Sequence, residues 1–358
     1  MNKIPLLISL LLILSISASA GCMVDNPWYG QPRTDECTTA LVPGWATPSG
    51  RTLLWKSRDV SNWHQEYSFY DTEPYSFIGL NYPEQLNEFE CYGGINEVGF
   101  SIENSNALNF SDSSGYDDDG IIMYHALQTC ETVEDFLAYM DTTARQGRTR
   151  PSNYGVFDAF GGAGMLEASK YENFWFDAST PEQCPDGYEV RSNFAYNGSA
   201  SHTGQHRHDR AVELIEEAIA LGTIDAQLLF DTVARDIINE EINPYPLPYA
   251  GYYVHSVTRD TLDGGVRTHT AINREITASA FVAQAVQNGE DPLLSVMWSM
   301  VGEPIMTPAI PLWIGSYSVP ENMLGVSYDP GPVNARHREL FNYLFYPYPD
   351  PEDDLGDT

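Results

Sequence analysis

The residues with the clearest chemical potential are one cysteine and a charged motif that follows it. Cys37 opens a β-branched, strand-like segment, and after a turn a second such segment ends in the motif KSRD, residues 56–59. Antiparallel pairing of the two segments would return this motif to the side of Cys37. A neighbouring cation, Lys56 or Arg58, lowers the pKa of a thiol, and Asp59 could orient an N-terminal amine. The alternative is a solvated strand end whose charges have no chemical task.

The remaining elements must position these groups. Helical spacing of apolar residues predicts a helix over residues 133–146, and two more amphipathic helices over residues 210–221 and 226–238. Strand-like runs precede and follow these helices, at residues 92–102, 153–167, 189–196, 251–257, 265–272, 278–286 and 294–300. Strands, then helices, then strands predict a layered α+β domain.

Length and charge exclude several classes of function. The chain has 358 residues, with 18 Lys+Arg against 50 Asp+Glu and a formal net charge of −32. A surface this acidic repels nucleic acid and anionic lipid, so neither is an expected partner. Hydrophobic residues make up 42% of the chain, which is typical of a globular protein.

The N-terminal segment predicts export. A positive start, an apolar run and small residues before position 21 predict a secretory signal peptide at residues 1–20, and no later stretch is long enough to span a membrane. Residues 21–36 are interpreted as a spacer, and residues 347–358 as an acidic tail. A loose lipobox makes a lipid anchor on Cys22 the alternative. Cys91, Cys130 and Cys184 are expected to be disulfide halves or small buried hydrophobes.

The segment CTTALVPGWATPSGRTLLWKSRD, residues 37–59, resembles the mature start of linear-amide hydrolases in the N-terminal-nucleophile (Ntn) superfamily. The nearest groups are choloylglycine hydrolase-like proteins and acyl-coenzyme A:6-aminopenicillanic acid acyltransferase-like proteins. Further segments resemble the same family in order and spacing: GINEVGF (94–100), NYGVFDA (153–159), VRSNF (190–194), INRE (272–275) and PLW (311–313).

The resemblance implies an Ntn-hydrolase domain over residues 37–346, with a four-layer αββα sandwich of two stacked antiparallel sheets. It implies that cleavage between Glu36 and Cys37 frees an α-amine as the base, while the thiol of the same residue is the nucleophile. It also implies that Asp59 orients the amine, that Lys56 assists the thiol and that Arg274 is a late functional arginine. Oxyanion donation is implied for Asn193 and for the region 104–106, where spacing favours Asn106.

Other clusters are assigned no chemistry. His202, His206 and His208 could bind a metal ion, and Asp112 with residues 117–120 could bind calcium. The histidines open a predicted helix without completing a zinc pattern, and the aspartates lack EF-hand spacing. We therefore expect neither a metal nor an organic cofactor.

Two classes of function remain after the sequence has been read. The first is an exported cysteine amidohydrolase that acts on a small-molecule amide, with acyl transfer as a variant of the same chemistry. The second is a non-catalytic exported binding protein, anchored through Cys22 or held by calcium loops, in which Cys37 forms a disulfide. The sequence determines neither the amide nor the oligomeric state.

Overall fold

Two antiparallel β-sheets form the centre of the fold. The structure is a computed structural model, and it describes residues 36–82, 89–111, 118–238, 268, 270–326 and 329–345. Its strands are β1 (Glu36–Val42), β2 (Leu53–Asp59), β3 (Glu66–Tyr70), β4 (Phe77–Asn81), β5 (Gly94–Asn96), β6 (Ser101–Asn106), β7 (Ser152–Phe157), β8 (Ala163–Ala168), β9 (Asn173–Asp177), β10 (Glu189–Arg191), β11 (Thr277–Gln284), β12 (Val296–Val301) and β13 (Ile310–Trp313). The first sheet has the order β10-β1-β2-β11-β12-β13, and the second runs from β3 to β9 in chain order.

The helices of the described residues are α1 (Asp119–Thr129), α2 (Val133–Gln146), α3 (Gln205–Ala220), α4 (Ala226–Leu228) and α5 (Pro332–Phe345), with a π-helical turn at Leu229–Ala234. Short 3₁₀ turns occur at Gly44–Ala46, Pro292–Leu294, Pro304–Met306, Ile314–Ser316 and Glu321–Met323. The predicted bounds of α2 are confirmed, and its start is fixed by a reciprocal capping box between Thr132 and Asp135. None of the helices in the described part of the chain combines the length and apolar character that a bilayer crossing requires.

The two sheets pack face to face. Leu41 and Leu54 of the first sheet share one buried cluster with Phe157 and Met165 of the second. Because side chains alternate along a strand, the neighbouring residues of β1 and β2 point to the other face of the first sheet.

Helices cover both outer faces. Trp55 of β2 is buried with Leu214 of α3 and Phe230 of the π-helical turn. On the second sheet, Ile102 of β6 is buried with Phe136 of α2. The order of layers is therefore helix, sheet, sheet, helix, and the predicted four-layer αββα arrangement is confirmed.

The hairpin predicted from residue 37 onward is confirmed and sets the geometry of the site. Strands β1 and β2 pair in a register that places Cys37 opposite Arg58 and Glu36 opposite Asp59. β2 in turn pairs with β11, so the motif at its end is enclosed by neighbours on both sides. The charged end of β2 is buried rather than solvated.

Some local predictions were wrong. The helix predicted over residues 226–238 ends at Ala234. Just beyond it, the Asp236 side chain accepts from the backbone N–H of Ile238 and pairs with Arg210, which favours a turn over a further helical turn. The strand predicted over residues 189–196 stops at Arg191. Of the run at residues 265–272, the described residues form a turn, closed by a bond from the N–H of Ala271 to the carbonyl of Thr268. The strand predicted over residues 251–257 lies outside the described residues.

Candidate active site

The end of the β1–β2 hairpin presents different groups on its two faces. Alternation from Leu41 and Leu54, which face the second sheet, places Cys37, Lys56 and Arg58 on that same inner face. Glu36, Thr38 and Asp59 alternate to the outer face, toward α3. The candidate site therefore has a thiol side between the sheets and a carboxylate side under the helical layer.

On the inner face, the Cys37 side chain borders a small cavity. Its volume is about 10 Å³, which is room for about one water molecule. The cavity is lined by Cys37, Lys56, Arg58, Tyr92, Asn104, Asn106 and Asp119. The predicted nucleophile and the predicted assisting lysine thus share one polar cavity.

Lys56 is held in place by two acceptors. Its Nζ donates to the carbonyl oxygen of Tyr92 at 2.8 Å and to Oδ1 of Asn104 at 2.5 Å. Burial lowers the pKa of Lys56, and the neighbouring Cys37 opposes this shift. Asn104 is itself fixed by donating to Asp119 at 2.6 Å. This chain of contacts positions the ammonium group beside the thiol.

Arg58, the other cation of the motif, is engaged with aromatic residues. Its guanidinium lies 3.8 Å from the ring centroid of Tyr92 and 4.8 Å from that of Tyr82. It also donates to Oε1 of Gln65 at 2.8 Å and to the hydroxyl of Tyr82 at 2.9 Å. These contacts hold one wall of the cavity rigid.

Asn193 connects the backbone of Cys37 to the second sheet. Its Oδ1 accepts from the backbone N–H of Cys37 at 3.0 Å, and its Nδ2 donates to the carbonyl oxygen of Asn106 at 3.3 Å. The Asn106 side chain accepts from the hydroxyl of Ser152 at 3.4 Å. The two predicted oxyanion donors therefore lie together beside Cys37. Their catalytic roles stay predictions.

The outer face carries the Glu36 cluster, which consists of Glu36, Asp59, Arg207 and Arg274. Glu36 Oε2 lies 2.6 Å from Nη2 of Arg207 and 2.6 Å from Nη1 of Arg274. Asp59 Oδ2 lies 3.5 Å from Nη1 of Arg207 and 3.4 Å from Nη1 of Arg274. Two guanidinium groups are thus balanced by two carboxylates, those of the register partners Glu36 and Asp59.

Asp59 is the fully buried member of this cluster. Burial raises the pKa of Asp59, and Arg274 and Arg207 oppose that shift. Its Oδ1 accepts from the hydroxyl of Thr277 in β11 at 2.7 Å. Arg207 and Thr277 together fix the carboxylate at the strand end where an amine on Cys37 would be formed.

Arg207 was missed by sequence reasoning. Its Nη1 donates to the carbonyl oxygen of Cys37 at 2.8 Å, and its Nη2 donates to Oδ1 of Asn193 at 2.8 Å. Gly204 makes this approach possible, because a Cβ there would lie 2.5 Å from Nη2 of Arg207, and its φ of +79° suits glycine. The only local signal for Arg207 is its place between His206 and His208, a pattern that predicts metal ligands rather than a partner for Cys37.

The histidines of that run have ordinary contacts. His202 stacks on Phe194 with ring centroids 4.5 Å apart, and Nε2 of His208 lies 2.8 Å from the hydroxyl of Tyr196. Across the described residues, no three His, Cys, Asp or Glu side chains are placed to share a metal ion. Of the predicted acidic loop, Asp118 accepts from the backbone N–H groups of Thr149 and Arg150, while Asp112 lies outside the described residues.

Four cysteines lie among the described residues, and all are buried and outside any disulfide: Cys37, Cys91, Cys130 and Cys184. For the last three, this matches the expected role of small buried hydrophobes rather than disulfide halves. Burial raises the pKa of Cys91 and of Cys130 to about 12, which leaves both thiols unreactive near neutral pH.

No protein-family model matches the sequence, and no curated protein matches it. Solved structures are similar. Penicillin V acylase from Agrobacterium tumefaciens shares 12% identity over 78% of this chain and 86% of its own, with a TM-score of 0.44. A variant of conjugated bile acid hydrolase from Clostridium perfringens shares 12% identity over 81% and 99%, with a TM-score of 0.48.

Proposed function

We propose that this chain is an exported cysteine amidohydrolase that cleaves a linear, non-peptide or N-acyl C–N amide bond. The observation that carries the proposal is the surroundings of Cys37. Its backbone nitrogen is bound by Asn193, and its side chain shares a cavity with Lys56. Asp59 lies on the opposite face of the same strand end. A nucleophile, an amine site, a cation and amide donors are thus supplied around one residue.

Maturation is the first step of the proposal. The Cys37 thiol adds to the carbonyl carbon of Glu36, and the peptide nitrogen leaves as the α-amine of Cys37, which gives a thioester. Water then hydrolyses the thioester, so that the thiol is restored and Glu36 departs with a new carboxylate. An ordinary α-amine has a pKa near 8, so the amine accepts protons at neutral pH.

Turnover repeats this chemistry on the substrate. The α-amine takes the thiol proton, the sulfur attacks the amide carbonyl, and the same proton passes to the departing amine. Asn193 Nδ2 and the Asn106 region would stabilise the oxyanion, with one such donor worth about 3–4 kcal/mol. Water hydrolyses the resulting acyl-thioester and releases the acid.

Residues 1–20 are proposed as a secretory signal peptide, which favours hydrolysis over acyl transfer because acyl-coenzyme A is scarce outside the cell. The binding-protein alternative required Cys37 in a disulfide. Among the described residues, Cys37 forms no disulfide, so no observation there favours this alternative.

The test is the intact mass of protein purified from an exporting host. We expect a chain that begins at Cys37 and takes up one alkylating group at that residue. The Cys37→Ala variant is the matched control and should keep Glu36. A wild-type chain that begins at Gly21 or at a lipidated Cys22, with Cys37 closed to alkylation, would refute the proposal.

A further inference from the structure

Glu36 occupies a site built for a carboxylate. Both of its arginine partners contact one oxygen, Oε2, at 2.6 Å. The side chains of Arg207 and Arg274 are 2% and 12% exposed, whereas that of Glu36 is 21% exposed. Glu36 is thus the solvent-facing member of the cluster, and it covers two guanidinium groups that are otherwise nearly buried.

Maturation would empty this position. When Glu36 leaves, the two guanidinium groups keep one contacting carboxylate, that of Asp59, and Glu275 also acts on Arg274. A new amine appears at Cys37. Burial lowers the pKa of Arg207, yet a guanidinium stays charged at any physiological pH. The vacated position therefore carries excess positive charge and faces solvent, which favours binding of an anion.

The position also has a defined relation to the reaction. In the precursor, the carbonyl that Cys37 attacks is the carbonyl of Glu36, so the Glu36 side chain belongs to the acyl part of the internal substrate. The Glu36 carbonyl and its side-chain carboxylate are separated by the same three carbons as the two ends of a glutaryl group. When the same thiol attacks the carbonyl of a glutaryl amide, the far carboxylate of that acyl group would therefore reach the same arginines.

We propose that, after maturation, Arg207 and Arg274 form a carboxylate subsite that selects amides whose acyl group ends in a carboxylate, with glutaryl amides as the matching length. This inference rests on the proposed function, since it assigns the substrate class of the Cys37 site. Arg274 and Arg207 act in it as specificity-determining residues that bind the far end of the acyl group.

A binding experiment tests the subsite without turnover. In Cys37→Ala, which cannot mature, Glu36 fills the position; in Cys37→Ala with Glu36→Ala, the position is empty. Calorimetric titration should show glutarate binding at least about tenfold tighter to the double variant, and glutaramide binding to neither. Cys37→Ala with Glu36→Ser also leaves a short side chain, so it is a second emptied variant, and urea unfolding checks that both emptied variants fold. Equal or undetectable glutarate binding in the folded, emptied variants would overturn the subsite.

Kinetics tests the substrate class. For the matured enzyme, kcat/KM for the para-nitroanilide of glutaric acid should exceed that for its terminal carboxamide analogue by about 100-fold. Arg274→Gln should reduce this ratio below about tenfold, and Arg274→Lys should preserve more of it. Equal turnover of both anilides would overturn the inference and leave the amidohydrolase proposal standing. A chain that never matures would instead refute the proposed function, while the binding titration still decides the subsite.

Discussion

Two buried arginine clusters flank strand β1, and they differ in the kind of partner that each arginine has. The Glu36 cluster lies at the start of the strand. The Arg191 cluster, formed by Arg191, Glu167 and Glu189, lies beside Thr39, the register partner of Arg191. In the latter, Nε of Arg191 is 2.8 Å from Glu167 Oε1, and Nη1 is 2.8 Å from Glu189 Oε2.

The carboxylates of the Arg191 cluster are permanent partners, because no proposed cleavage removes them. Glu167 is fully buried, and its oxygens also accept from the backbone N–H groups of Tyr196 and Asn197. The Arg191 guanidinium lies 3.8 Å from the ring centroid of Tyr196. In the Glu36 cluster, by contrast, the Glu36 carboxylate lies on the N-terminal side of the proposed cleavage point, so it leaves with the removed segment. A buried charge cluster stabilises the fold when its partners all remain, and it becomes a site when one of them leaves.

The largest effect is expected where the cluster is permanent. Glu167→Ala leaves Arg191 buried without its closest carboxylate, which should reduce the free energy of unfolding by about 3–5 kcal/mol. Urea unfolding of precursor and matured protein should give the same loss, because neither state changes this cluster. Glu189→Gln is the milder control, since the Glu189 side chain is 16% exposed. A loss for Glu167→Ala no larger than for this control would remove the distinction between the clusters.

The next effect concerns the group that links the Glu36 cluster to Cys37. Asn193→Ala removes a proposed oxyanion donor, so kcat should fall by about 10²–10³-fold. Asn109→Ala is a matched control, because Asn109 is a buried amide that donates to the carbonyl oxygens of Ala195 and Ser199, away from Cys37. The control should lose stability but keep kcat within a few-fold of the wild type. Similar kcat losses in both variants would assign Asn193 a structural role only.

The hairpin residues of the site were easier to predict from the sequence than the residues that other elements supply. Cys37, Lys56 and Asp59 lie on one hairpin, and a hairpin's register follows from local alternation and its turn. Asn193 could be placed only through the family resemblance, because it is separated from Cys37 by 156 positions in the sequence. Arg207 was unpredictable from spacing, since it reaches Cys37 from a helix in another layer.

The same limit applies to the carboxylate Glu36. Its sequence neighbours mark it as the end of a polar spacer, and nothing local distinguishes it from a solvated charge. Only the packing of α3 and the segment before β11 brings Arg207 and Arg274 to it. Charge balance around a buried strand end is a tertiary property, so it had to be read from the structure.

Another buried carboxyl, that of Glu103, sharpens the comparison, because the cation that acts on it most strongly is Lys56 rather than an arginine. Burial raises the pKa of Glu103 from 4.5 to about 8, and Lys56 opposes the shift only in part. The folded protein thus keeps Glu103 protonated between these two values, while the unfolded chain loses the proton. Since the folded state binds more protons in this window, stability should fall as the pH rises, by about 1.4 kcal/mol for each pH unit.

Glu103→Gln should remove this slope, because a neutral amide has no proton to lose. Urea unfolding at pH 6 and pH 7 should therefore show a pH-dependent loss of stability in the wild type that is smaller in Glu103→Gln by about 1.4 kcal/mol. Glu303, whose pKa burial also raises to about 8, contributes a second slope that persists in this variant. Replacing an exposed carboxylate, as in Glu213→Gln, should leave the wild-type slope intact. An unchanged slope in Glu103→Gln would mean that Glu103 is ionised in the folded protein, in which case Lys56 would serve it as an ion-pair partner and would be less available to Cys37.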